Sequence, residues 1–147
     1  MIILKSKHEK IVQDLVNEIA DYQKLLYYRS ISEQITMGNG VYHSHYPDST
    51  HNVNCLFWND KSKEHFWQVI GKFPTEYEAY ELIHVIKEKN NEVVEIFQTT
   101  AWDNLQDYWN VLNSPNSANF EHYEDLFCAW TENIEQILNE TKVQRED

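Results

Sequence analysis

The chain has 147 residues, 41% of them apolar and 14% aromatic, which is enough to bury a single core and excludes a disordered composition. Its formal net charge of −12 falls wholly in residues 74–147, which hold four Lys/Arg against sixteen Asp/Glu, while residues 1–73 hold eight of each. Phosphate and anionic lipid would be repelled by such a field, so nucleic acid and acidic membranes are excluded as direct ligands, and a basic protein would be attracted.

In chain order, Ser6 and Glu9 form an S-x-x-E capping box, which predicts a helix from Lys7 to about Arg29. Val12, Leu15, Ile19, Tyr22 and Leu26 recur at spacings of three and four, with Ile11, Val16 and Leu25 beside them. The seam is expected to pack on the domain's own core. Its alternative use is a homodimer through residues 7–29, a structural oligomer held by helix pairing. Gly38-Asn39-Gly40 reads as a hairpin turn between strands at Ile31–Met37 and Val41–Tyr46. Val53–Trp58 and His65–Phe73 complete an antiparallel meander of three to four strands. Pro74 stops the last strand. Thr75 and Glu78 then cap a helix that carries Ala79, Leu82, Ile83 and Ile86 inward and ends at Asn90-Asn91. Glu92–Gln98 alternates like a strand. Thr100 and Asp103 suggest a further cap, before the stripe Trp102, Leu105, Trp109 and Leu112. Ser114-Pro115-Asn116-Ser117 is a loop, and the last helix buries Tyr123, Phe127, Trp130, Ile134 and Ile137. The order predicts one α+β domain over residues 1–147: an N-terminal helix, a meander, then α-β-α-α with helices covering one face of the sheet.

Targeting and redox signals are weak. Met1–Leu4 is too short for a secretory h-region, and no run reaches the length of a membrane span, so the expected location is cytoplasmic. Cys55 and Cys128 form no C-x-x-C and read as reduced, buried residues.

Chemistry-bearing patterns are few. His43, His45 and His51 make H-x-H-x5-H, with Cys55 four residues on. Two histidines at i and i+2 of a strand share a face, so a metal-dependent hydrolase built on these three is the runner-up reading. Asp48, Ser49 and Thr50 allow a Ser/His/Asp set to be written down, without a G-x-S-x-G elbow. With glycine only at positions 38, 40 and 71, a phosphate-cradling loop is hard to build, and no cofactor is expected. The adjacent pairs Phe57-Trp58 and Phe66-Trp67 should each send one ring away from the helices. With Tyr27-Tyr28, Tyr42 and Tyr46 they could form an interface patch.

The carboxylates carry the leading reading. Glu121, Glu124, Asp125, Glu132 and Glu135 fall on flanks and outer face of the last helix, and Glu76, Glu78 and Glu81 are likewise displaced from the apolar stripe of the capped helix. Few lysines interleave them, although like charges one turn apart repel. Closely spaced carboxylates on a rigid helix imitate backbone phosphates. In size and acidity the chain resembles DNA-mimic inhibitors, including phage anti-restriction and anti-CRISPR proteins, and the immunity proteins of nuclease toxins. The resemblance is one of composition. It implies a non-enzymatic inhibitor that occludes a basic protein, such as a nuclease or other nucleic-acid-binding protein.

Overall fold

The structure is a computed structural model that describes residues 2–45, 47, 49–99 and 118–141, with side chains for all of these except 2–6 and 118–119. Helix α1 spans Ile2–Thr36 and is followed by strands β1 (Val41–His45), β2 (His51–Asn59) and β3 (Glu64–Phe73). Helix α2 covers Glu76–Lys89, α3 covers residues 91–99, and α4 covers Ala118–Thr141. The sheet is an antiparallel meander in the order β1-β2-β3, so the α+β class is observed.

Two predicted strands are helix. Of the expected strand Ile31–Met37, residues Ile31–Thr36 continue α1, because Tyr28, Ile31, Ser32 and Ile35 keep the three-and-four spacing and are buried. The β-branched isoleucines suggested a strand, but burial of one helical stripe outweighs that propensity. Gly38-Asn39-Gly40 therefore closes a helix and does not join two strands. Gly38 has φ +83°, its N–H donates to Ile35 O at 3.1 Å, and the Asn39 N–H donates to Gln34 O at 2.8 Å. This is a Schellman motif, which satisfies carbonyls the helix end leaves open. Residues 91–99, which include the expected strand Glu92–Gln98, are likewise helical, with Val93 and Phe97 buried one turn apart and Ile96 exposed. Short apolar runs fit either period.

Helix α1 also starts earlier than its capping box implies. The box at Ser6 and Glu9 lies inside the helix, which begins at Ile2. At α2 the box is used: Thr75 Oγ1 accepts from the Glu78 N–H at 3.4 Å and donates to Glu78 Oε2 at 3.1 Å. The expected third cap with its stripe from Trp102 to Leu112, the loop at 114–117, Tyr46 and Asp48 lie outside the described residues.

The core forms where α2, α3, α4 and the last third of α1 meet the sheet. β2 is the central strand and is buried at every residue from Asn52 to Trp58. It outruns β1, whose Val41 pairs with Cys55, and α4 takes over the exposed edge. The Trp130 indole N–H donates to Leu56 O at 2.9 Å, and the Trp58 N–H donates to Thr131 Oγ1 at 2.9 Å. Unpaired strand edges invite foreign strands, and here helix side chains cap one. Ile70 is the extra residue of a β3 bulge opposite Val53 and Asn54, and it is fully buried. Cys55 is buried and Cys128 only half-buried, and both are free thiols. Among the described residues no helix is both long and apolar enough to cross a membrane.

Candidate functional site

Helix α4 is two-faced. Tyr123, Phe127, Trp130, Ile134 and Ile137 are all buried, as their spacing predicts. The opposite face exposes Glu121, Asp125, Glu132 and Glu135. Their separations of four, seven and three residues are near-whole helical turns, so they stand in one file about 21 Å long at 1.5 Å per residue. Among the described residues Glu121, Asp125 and Glu132 form no ion pair.

Glu124 stands apart from this file. Its side chain is 15% exposed and accepts from the Tyr28 hydroxyl at 2.9 Å. Lys24 Nζ lies 3.7 Å from one of its oxygens and Lys63 Nζ 3.3 Å from the other. Lys63 also holds Asp60 at 2.7 Å. Burial and the neighbouring Glu124 carboxylate push the Tyr28 phenol well above its ordinary pKa. Contact with Lys63 and Trp58 lowers that of Asp60. Glu124 thus ties α1, the β2–β3 turn and α4 together, and its geometry suits structure better than docking.

Glu76, Glu78 and Glu81 are exposed on the first turns of α2. Glu78 belongs to the cap, and Glu76 and Glu78 complement the positive end of the helix dipole. Glu78 and Glu81 border a shallow groove with Phe73, Leu82, Val85 and Thr141, at the C-terminal end of α4. Glu121 is about 30 Å away along α4 at 1.5 Å per residue. The two acidic groups therefore approach only at one end and do not form a single cluster.

The histidines meet through strand register, because His45 pairs with His51 across β1 and β2. His43 Nε2 is 2.8 Å from His51 Nδ1, and the His45 ring stacks on His51 at 4.2 Å with 5° between planes. Stacked, parallel imidazoles direct their in-plane lone pairs side by side and not at one point, which opposes shared metal ligation. Among the described residues no group of three or more His, Cys, Asp or Glu could hold a metal. Desolvation, then His45 and His43, lowers the pKa of His51, with Glu76 opposing.

One half-buried histidine escaped the sequence reading. His65 pairs with Trp58 across β2 and β3, and its ring packs on Trp58 at 4.6 Å and edge-on to Phe127 at 4.4 Å. Burial lowers its pKa to about 4. Its Nδ1 meets the Tyr27 hydroxyl at 3.0 Å. The only advance signal was its position directly after the polar turn, facing an aromatic. The aromatic pairs also differ from expectation: Phe57 and Trp58 are both buried on the central strand, and Phe66 and Trp67 are both exposed on β3. Tyr42 packs on Trp67 at 5.1 Å between ring centroids, so two of the expected patch residues do meet.

Comparison of the chain with protein-family models, curated proteins and solved structures gives no match.

Proposed function

We propose that this protein is a small acidic binding protein that inhibits a basic nucleic-acid-binding or nucleic-acid-processing protein by occlusion, without turnover. The observation that supports the reading is the α4 file: Glu121, Asp125 and Glu132 stand exposed on one rigid helix with no ion pair among the described residues. A helix anchored by Tyr123, Phe127 and Trp130 holds those charges at fixed spacing, so a basic cleft meets them with little ordering cost. Glu135 extends the file, and Glu81 with Glu76 and Glu78 forms a secondary acidic patch.

The test is affinity capture from the source cell at low salt with wild-type protein and with a Glu121→Lys/Asp125→Lys/Glu132→Lys variant. The wild type should retain a basic nucleic-acid-handling protein, release it as salt rises through the physiological range, and block its activity on DNA or RNA. The variant should retain none while keeping the wild-type circular dichroism. Equal capture and inhibition by the variant would overturn the reading.

A further inference from the structure

Residues 7–20 of α1 are exposed at every position, and the first buried side chain of the helix is Leu25. The seam expected to pack on the core does not do so: Ile11, Val12, Leu15, Val16 and Ile19 are between 46% and 58% exposed. Only the last third of the helix, through Tyr28, Ile31 and Ile35, enters the core. A helix of 35 residues is about 52 Å long, more than a sheet of five- to ten-residue strands can cover. Residues 7–20 therefore stand clear of the described core as an arm about 21 Å long with its apolar stripe exposed. An isolated helix of that length is marginal alone.

We infer that the occupant of this stripe is the same arm of a second copy, packed antiparallel. Charge selects the partner and the direction. Residues 1–36 contain five Lys/Arg and five Asp/Glu, so the helix that bears the arm is the neutral part of a chain whose remainder carries −12. Two arms can approach without the repulsion that two bodies would feel. Along α1, residues 2–12 carry Lys5, Lys7, Lys10 and Glu9, for +2, and residues 13–24 carry Asp14, Glu18, Asp21 and Lys24, for −2. Antiparallel pairing sets the positive half of each arm against the negative half of the other. It also sends the acidic bodies to opposite ends of the rod, several Debye lengths apart, whereas parallel pairing would press them together. A two-fold axis between Gln13 and Asp14 stacks Val12 on Leu15 and Ile11 on Val16 of the second copy. Two helices about 10 Å across, touching along the arm, remove on the order of 1,000 Å² from water in total, the lower bound of a specific interface.

The experiment is sedimentation equilibrium of the full chain between micromolar and hundred-micromolar concentration. The wild type should show twice its 17.6 kDa mass at the upper end. A Val12→Glu/Leu15→Glu variant should stay at one chain with the thermal unfolding of its domain unchanged, because both side chains are exposed in the single chain. Direction is read by mild oxidation of Val12→Cys and Leu15→Cys proteins, with the wild type as blank for its own thiols. The mixture should cross-link several-fold faster than either variant alone. A wild type that stays monomeric throughout, a double-glutamate variant that still dimerises, or faster self-linking of Val12→Cys would overturn the inference. Loss of dimerisation leaves the α4 file intact, so this outcome is separable from the inhibitor reading.

Discussion

The Tyr28 hydroxyl donates to Glu124 at 2.9 Å and thereby joins the anchored end of α1 to the first turns of α4. The ring of Tyr28 meets Trp58, Phe120 and Phe127 edge-on, so the phenol is the polar end of an aromatic cluster. Lys24 and Lys63 complete the shell around the carboxylate. Glu124 thus joins the anchored end of α1, the β2–β3 turn and the acidic helix at one carboxylate.

Tyr28→Phe keeps the ring and removes the donor. A hydrogen bond to a charged, part-buried acceptor contributes about 1.5–3 kcal/mol, and the two lysines left on Glu124 reduce the expected loss to about 1–2 kcal/mol. Urea unfolding should show a lower midpoint at unchanged slope. Tyr27→Phe, which removes a more exposed hydroxyl, should cost less than about 1 kcal/mol. Equal losses would mean that the Glu124 contact has no special weight.

The sequence made some of this legible and hid the rest for physical reasons. α2 and α4 were legible because their stripes and the Thr75 cap are local, and local chemistry survives folding. Ile31, Ile35 and residues 92–98 were misread because four or five apolar residues satisfy either a period of two or of 3.6. The α1 seam was seen, but a helical stripe looks the same whether its partner is the chain's own core or nothing at all. Glu124 was grouped with Glu121 and Asp125 because it lies on the flank of the same helix. Only the arrival of Lys63 from the β2–β3 turn, far off in sequence, sets it apart.

His65 makes stability depend on pH. Its pKa is about 4 in the folded protein because burial penalises the charged ring, against about 6.5 when exposed. Between these values the unfolded chain takes up a proton that the folded chain refuses, so stability falls as pH drops from 6.5 to 4 and is fully present above 6.5. Discounting for partial exposure, the loss is up to about 2 kcal/mol. His65→Phe keeps an aromatic ring against Trp58 and Phe127 and removes the titration. Unfolding free energies measured at pH 7 and pH 5 should differ less in the variant than in the wild type. An identical difference would assign the acid sensitivity to other groups.

Gly38 closes α1, and its φ of +83° is the reason a glycine stands there. A Cβ at this position would lie 3.1 Å from Lys87 Nζ and 3.3 Å from its Cε, a flexible end that can swing away. The cost of Gly38→Ala is therefore backbone strain, about 1–2 kcal/mol. Gly38→Asn should cost less, since asparagine tolerates the left-handed region. Gly40 has no positive φ, and its added Cβ would meet Ile35 Cγ1 at 3.3 Å and Trp130 Cζ2 at 3.4 Å. Gly40→Ala should cost about 1 kcal/mol by crowding instead. The two mechanisms separate through a second substitution. Lys87→Ala should leave the Gly38→Ala loss unchanged, whereas in an Ile35→Ala background, which removes Cγ1, Gly40→Ala should cost less than it does in the wild type. If Lys87→Ala rescues Gly38→Ala, side-chain contact and not the helix-ending conformation sets the requirement for glycine.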